Sequence, residues 1–306
     1  MPSAISGARP LAARLVLYYS QPMQATGIAI GSEQHKELFC RVFIDTHDPY
    51  DPDRMDWPEV DEASLARLRA MPFWHEAIST EADVARKVQR LAPLQQDPLM
   101  REAIELQGYE EGRHSRLINN MLRHYEIPHQ PPAEEPLSDD PLWDFTRVGY
   151  GECFDSFFAF GLYCLARDSG LFPPALLTTM EPIVQEEARH ILFFANWIAY
   201  CRVHEPGVAK LRHTGRSALA MSLQIWTRIK TAIGAVRGGG DDDGGADGEN
   251  DFMLGVKDSL EVVSSPRQFL EVCLRENDRR LAPYDPRLLR PTFVPKIART
   301  MARVLR

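Results

Sequence analysis

One five-residue motif occurs twice in this chain, as Glu110-Glu111-Gly112-Arg113-His114 and as Glu186-Glu187-Ala188-Arg189-His190. Each copy contains Glu-x-x-His. Residues three apart share a helix face, so Glu111 and His114 point the same way, as do Glu187 and His190. Apolar residues flank both copies at helical period: Ile104, Ile118 and Leu122 on the face of Glu111, and Ile183, Ile191 and Phe194 on that of Glu187. Carboxylates and imidazoles set among apolar neighbours need a partner to offset lost hydration. Two such pairs on facing helices supply the donors of a metal centre. A single Glu-x-x-His carries little weight: Glu126 and His129 have the spacing too, but Pro128 between them interrupts a helix. Repetition in a shared form is what distinguishes the pair.

Turn positions point to two further carboxylates. In an antiparallel helix pair, residues equally far from the connecting turn lie at the same height. The first turn signal, Ala92 to Pro98, centres on Gln95, and Glu111, 16 residues beyond it, is matched near position 79. Glu81 is the nearest carboxylate, and Glu76, five residues further out, ranks second. The second signal, Arg167 to Pro174, centres on Gly170. Glu187 lies 17 residues beyond and is matched near position 153, where Glu152 stands alone in a long apolar run. The expected ligand set is therefore Glu81, Glu111, His114, Glu152, Glu187 and His190. Oxygen-rich ligation with one imidazole per ion suits iron, with manganese as the alternative, because zinc usually takes more His or Cys. Glu110 and Glu186, one position before the ligands, either reach across to the ring N–H of the opposite histidine or remain surface charge. Arg113 and Arg189 pair with those carboxylates or with solvent.

Composition narrows the function classes. A formal charge of −8, without a basic stripe interleaved with aromatics, speaks against nucleic acid as a partner. Five scattered cysteines (Cys40, Cys153, Cys164, Cys201, Cys273) with no Cys-x-x-Cys fit a reducing cytoplasm and exclude a rubredoxin-type centre or zinc ribbon in this sequence. No convincing signal peptide and no stretch apolar enough to span a membrane are present, so a cytoplasmic location is expected.

The expected fold class is all-α. Residues 1–60 read as an irregular extension with Asp-Pro and Trp-Pro punctuation, in or just after which His35, His47 and His75 are read as surface or packing residues. Residues 61–204 read as a helical bundle, with helices near 73–91, 98–125, 141–167 and 173–203. The polar, Pro-rich connection from Ile127 to Asp140 is long enough to cross such a bundle from end to end. Residues 205–237 read as an additional helix, 238–251 as a disordered Gly/Asp linker, and 252–306 as a C-terminal helical segment on the bundle. Lys296, Arg299, Arg303 and Arg306 form a solvated basic face in that segment.

Over about Phe73 to Val203, these residues resemble the ferritin-like di-iron carboxylate superfamily. The resemblance implies a four-helix bundle with its long crossover between helices two and three, extra C-terminal helices here, and two iron ions held by the six residues named above. Glu111 and Glu187 take the positions of the family's bridging carboxylates. The Glu-Glu-x-Arg-His form is most similar to the oxygen-activating branch, which includes multicomponent monooxygenases and acyl-carrier-protein desaturases. Those hydroxylases often carry a hydroxyl residue four positions after the third-helix Glu, and Ser156 stands there as a catalytic proton relay. Ile118, four residues after His114, departs from the radical Tyr of small-subunit ribonucleotide reductases. Rubrerythrins append a Cys-x-x-Cys iron domain that is missing here, and ferritins lack the terminal additions.

The function expected is O2-dependent oxidation of a small organic substrate, by hydroxylation or N-oxygenation. The alternatives are iron oxidation or peroxide reduction without an organic substrate, and a non-catalytic helical scaffold. Gly108, Gly149, Phe160 and Phe194, with Phe157, Phe158 and Gly161, read as a pocket wall next to the metals, although phenylalanines at this density are more often core and glycines also serve close helix packing. With no flavin or nicotinamide site evident, electrons come from a ferredoxin, a reductase or the substrate. A homodimer is compatible with the chain.

Overall fold

The structure, a computed structural model, describes residues 27–71, 74–129, 134–237 and 265–305, without the side chains of 75, 76 and 227–237. The readings made for Glu76, His75, residues 1–26 and the Gly/Asp segment 238–251 lie outside the described residues. Regular structure among the described residues is helical: α1 Glu33–Asp45, α2 Glu62–Ala70, α3 Trp74–Leu91, α4 Pro98–His124, α5 Pro141–Ser169, α6 Pro174–His204, α7 Gly207–Arg237, α8 Pro266–Leu281 and α9 Phe293–Val304. Short 3-10 turns lie at Pro52–Arg54 and Ala92–Leu94.

The starts are capped by their own sequence. Asp97 accepts from the backbone N–H of Leu99 and Met100, both at 3.0 Å, ahead of Pro98 in the first turn of α4. Asp140 does the same for Trp143 at 3.0 Å ahead of Pro141. Gly170 ends α5 with φ 66°, the left-handed conformation that glycine adopts without a Cβ penalty.

Helix α1 corrects the irregular reading of residues 1–60. Ser32 accepts from His35 N at 3.1 Å, and Leu38, Phe39, Val42 and Phe43 form one buried face. The Asp-Pro clusters that suggested irregular chain begin only after this helix ends.

Four helices pack in a ring, α3 on α4, α4 on α6, α6 on α5 and α5 on α3. Arg90 at the end of α3 meets Asp144 at the start of α5 at 3.1 Å, so α5 begins where α3 finishes and runs antiparallel to it. α4 ends at the opposite end of the ring, so the chain between His124 and Pro141 travels its full length. Arg86 and Lys87 of α3 hold this connection through Glu134 Oε2 at 2.5 Å and Glu135 Oε2 at 3.0 Å. Around the ring, α1 lies on α4 and α6, α7 and α8 on α5 and α6, and α9 on α8 and α5.

The buried apolar side chains fall into two clusters. One contains Leu117, Ile118, Phe157, Ile183 and Phe269; the other contains Phe43, Val88, Ile104, Phe160, Ile191 and Trp197. Along α4 and α6 both motifs sit between the clusters, so the core encloses a polar layer. Such a layer persists only if its members satisfy one another or hold an ion, since an isolated buried charge costs many kcal/mol.

Candidate metal centre

Glu111, His114, Glu187 and His190 each turn one donor atom into a group whose members lie within 4.8 Å of one another. Metal–ligand bonds of about 2.0–2.4 Å span such a group around one or two ions. Both imidazoles face it with Nδ1. Glu187 Oε1 lies 3.2 Å from His114 Nδ1 and 3.5 Å from His190 Nδ1. Glu111 reaches the same two atoms, with Oε1 2.8 Å from His190 Nδ1 and Oε2 3.9 Å from His114 Nδ1. Each of the two carboxylates therefore stands between the two rings.

The far ring nitrogens are held crosswise. His114 Nε2 meets Glu186 Oε2 at 2.8 Å, and His190 Nε2 meets Glu110 Oε2 at 2.9 Å. A hydrogen bond at Nε2 puts the proton there and leaves the Nδ1 lone pair free to bind an ion. Glu110 also accepts from Arg189 at 3.0 Å and pairs with His47 Nδ1 at 2.5 Å; Glu186 is paired with Arg113. Arg113 donates onward to Asp48 O at 2.9 Å and covers the Tyr50 ring, while Arg189 donates to Phe43 O at 2.9 Å and covers the Phe43 ring. Both arginines and both spare glutamates are buried, not surface charges.

The outer acids sit differently. Glu81 Oε2 lies 3.2 Å from His114 Nδ1, beside the group. Glu152 is approached by Gln107 Nε2 at 3.4 Å, and the same amide lies 3.5 Å from Glu111 Oε1. Ser156 donates to Glu187 Oε2 at 3.1 Å.

The donors fit a metal. His190 Nδ1 is buried and makes no hydrogen bond, with Glu111 Oε1 2.8 Å away. Glu152 Oε1 is buried and unpartnered as well. Converging donor atoms of which some are left buried and unpartnered are the arrangement a cation resolves. The cluster can hold a metal ion.

Electrostatics among the protein groups alone agree. Burial pushes Glu81 up to about 8, against the pull of His114, and burial with the Glu111 and Glu187 charges raises Glu152 well above the carboxylate range. Burial would raise Glu187 too, but His190 and His114 outweigh it and hold it low. Burial likewise opposes charge on Glu110, yet Arg189, His190 and His47 bring it well below the usual value. Desolvation disfavours imidazolium, but Glu186, Glu187 and Glu81 raise His114, and Glu111, Glu187 and Glu110 raise His190, both well above their ordinary value. The raised acids and imidazoles show that added positive charge is favoured among these groups.

The pocket expectation is corrected for the glycines. A Cβ on Gly108 would lie 2.8 Å from Gln89 Cγ, on Gly149 2.1 Å from Phe194 Cδ2, and on Gly161 2.3 Å from Cys273 Sγ. These glycines admit a neighbouring side chain and leave no room for substrate. Phe157 and Phe160 are fully buried core residues. Of the expected wall, Phe194 lines a cavity of about 350 Å³, shared with Tyr150, Cys153, Phe154 and Phe293. Sequence reasoning missed Gln107, one turn before Glu111 on its own face, which helical spacing marks out. It also missed His47 and Tyr50, which approach the site from 63 or more residues away and carry no local signal. Comparison with protein-family models, curated proteins and solved structures finds no match.

Proposed function

We propose that this chain is a ferritin-like di-iron carboxylate oxygenase that oxidises a small organic molecule by hydroxylation or N-oxygenation, using O2. The observation that carries the reading is the crossed pair: each motif's leading glutamate holds the other motif's histidine at Nε2, so that both Nδ1 atoms converge with Glu111 and Glu187. The ring of four antiparallel helices with an end-to-end crossover supports it, because such bundles place Glu and Glu-x-x-His donors in their interior.

Glu81, Glu111, His114, Glu152, Glu187 and His190 would hold the ions. Iron bound there supplies the electrons and Lewis acidity that O2 reduction needs. Glu111 and Glu187 reach both rings and so would serve either position. Glu110 and Glu186 fix the ring orientation, and Arg113 and Arg189 neutralise those two glutamates in the core. Ser156 Oγ lies 3.1 Å from Glu187 Oε2 and donates its proton to it, where a relay would begin. The apolar clusters on either side exclude water from the layer. A substrate would use the cavity of about 350 Å³, within the range of small-molecule sites. Its wall includes Cys153, next to Glu152, and Phe194, one turn beyond His190. Electrons come from a separate ferredoxin or reductase.

A second reading, iron oxidation or peroxide reduction without an organic substrate, is favoured by the packing at Gly108, Gly149 and Gly161, which leaves the ring interior filled. One experiment separates the two. Chelated protein is titrated anaerobically with ferrous iron, exposed to O2 and desalted. Saturation near two ions per chain, the stoichiometry of such sites, with a turnover product from a substrate screen supports the oxygenase. Iron that accumulates without limit supports the second reading, and no retention removes both.

A further inference from the structure

A surface helix usually turns its large apolar residues inward. Helix α7 does the reverse. Val208 is 84 % exposed, Leu211 74 %, Leu219 53 %, Leu223 41 % and Trp226 62 %. At 3.6 residues per turn these five fall within about 120° of arc and form a row about 27 Å long. The opposite side carries His213, Ser217, Ala220 and Gln224, and it is this small and polar side that faces the rest of the protein: Ala220 is fully buried, and Gln224 donates to Arg147 O of α5 at 3.3 Å.

The charge of the helix is of one sign. In a chain with 43 acidic residues, α7 from Gly207 to Arg237 contains none, while Lys210, Arg212, Arg216, Arg228, Lys230 and Arg237 are basic. Helix α9 repeats the pattern. It carries Lys296, Arg299 and Arg303 without an acid, and exposes Met301 at 48 % and Val304 at 79 %. The two helices flank the cavity described above, Ser217 of α7 and Phe293 and Val294 of α9 lining it together. Arg216 and Arg299 reach acids of other elements, Asp140 at 2.7 Å and Asp278 at 3.6 Å.

We infer that α7, with α9 beside it, forms a docking face for an anionic membrane surface, the apolar row of α7 entering the headgroup boundary and the basic residues meeting lipid phosphates. An exposed apolar row with a tryptophan, with Arg212 inside its arc and Arg216 at its edge, is the form of helices that lie in that interface. A second copy of the chain is a poorer occupant, because two acid-free helices repel when they pair. An acidic protein accounts for the basic residues but leaves a 27 Å apolar row, about five helical turns, without a purpose. The inference concerns the outer face alone and stands whether or not the interior binds iron.

The test is cosedimentation of the full chain with vesicles of neutral phosphatidylcholine and with vesicles containing phosphatidylglycerol. Partition is expected to be roughly tenfold or more stronger on the anionic vesicles and to weaken with salt, with Trp226 emission moving to the blue. The double variant Leu211→Glu/Leu219→Glu loses roughly tenfold of that partition while retaining helical content by circular dichroism. A second variant, Arg212→Gln/Arg303→Gln, keeps every apolar residue and reduces the preference for anionic over neutral vesicles. Equal partition onto both vesicle types, or no response to either variant, overturns the proposal. So does a dimer in light scattering that Leu211→Glu/Leu219→Glu splits with no vesicle binding, or salt-sensitive capture by an immobilised acidic ferredoxin with none.

Discussion

His114 on α4 and His190 on α6 stand in halves of one site that can be compared atom by atom. Each is anchored at Nε2 by the leading glutamate of the other motif, at 2.8 and 2.9 Å, and each leading glutamate is backed by a buried arginine. Beyond the motifs the halves part. Glu81 lies 3.2 Å from His114 Nδ1, whereas Glu152 reaches only Gln107, and at its Oε1 nothing. Each leading glutamate also has the second arginine nearby, Arg113 at 3.9 Å from Glu110 and Arg189 at 3.7 Å from Glu186, but Glu110 adds His47 where Glu186 adds only the Tyr50 hydroxyl at 3.4 Å. Equivalence follows the repeated residues, and difference follows the residues that do not repeat.

The largest effect tests the shared element. Because Glu111 and Glu187 each reach both rings, neither half survives the loss of either one. Glu111→Ala and Glu187→Ala are each expected to lower retained iron from about two ions per chain to near none, with the helical spectrum preserved, measured by iron content after desalting. A variant that keeps one ion would show that the halves bind independently and would break the comparison.

The crossed anchors come next. Removing a residue that orients a ligating histidine typically weakens metal binding about 10- to 100-fold. Glu186→Gln is expected in this range by competition with a chelator. Glu110→Gln is expected to fall further, because Glu110 also holds His47, and to destabilise the chelated protein more, by roughly 3–5 kcal/mol in denaturant melts, because buried Arg189 then keeps only Glu186 at 3.7 Å and Phe43 O. Arg113, by contrast, keeps Asp48 O and Tyr50 O when Glu186 is neutral. Equal losses would show that the partners outside the repeat contribute nothing.

This contrast also marks what could be read in the sequence. The crossed anchors were legible because Glu110 and Glu186 are fixed by spacing inside a repeat, and distance from Gln95 and from Gly170 brought Glu81 and Glu152 to the right level along the helices. The local signals for α1, a Ser32 cap and a row of Leu38, Phe39, Val42 and Phe43, were present but outweighed by the Asp-Pro clusters that follow. The partners of Glu110 and Glu186 from outside the motifs were not legible: His47 and Tyr50 arrive through the placing of α1 against α4 and α6, which no spacing encodes. The glycines misled for the same reason. Whether a missing Cβ leaves space or is filled depends on a residue elsewhere in the chain, Phe194 for Gly149 and Cys273 for Gly161.

A pH series compares the outer acids with the inner ones. In chelated protein, Glu81 is raised to about 8, and Glu152, His114 and His190 are raised as well. For these groups the folded state binds more protons than the unfolded one, so stability is full at low pH and declines as pH rises. Glu187 and Glu110 are lowered and act with the opposite sign, their contribution present above the ordinary carboxylate range and lost only in strong acid. The melting temperature of chelated protein is therefore expected to fall between about pH 5 and the value of about 8 set by Glu81. Metal displaces the protons it competes with, so the loaded protein lacks this decline and the gap between the two melting curves widens with pH. A constant gap would mean the metal does not occupy the protonated positions.

The smallest effect lies at the one position where the motifs disagree, Gly112 against Ala188. A Cβ on Gly112 would lie 3.9 Å from Ala85 Cβ, an ordinary contact, whereas on Gly149 it would strike the Phe194 ring at 2.1 Å. Glycine in a helix interior costs about 0.5–1 kcal/mol relative to alanine, mostly in backbone entropy. Gly112→Ala, which makes the two motifs identical, is therefore expected to stabilise the chelated protein by about that amount and to leave iron content unchanged. Gly149→Ala should instead lose about 1–3 kcal/mol through overpacking, because the ring it displaces is itself fully buried on α6. Paired denaturant melts decide the matter. If Gly112→Ala also destabilises, then α4 approaches α3 as closely at the site as α5 approaches α6, and the glycine in the first motif is a packing requirement like the others.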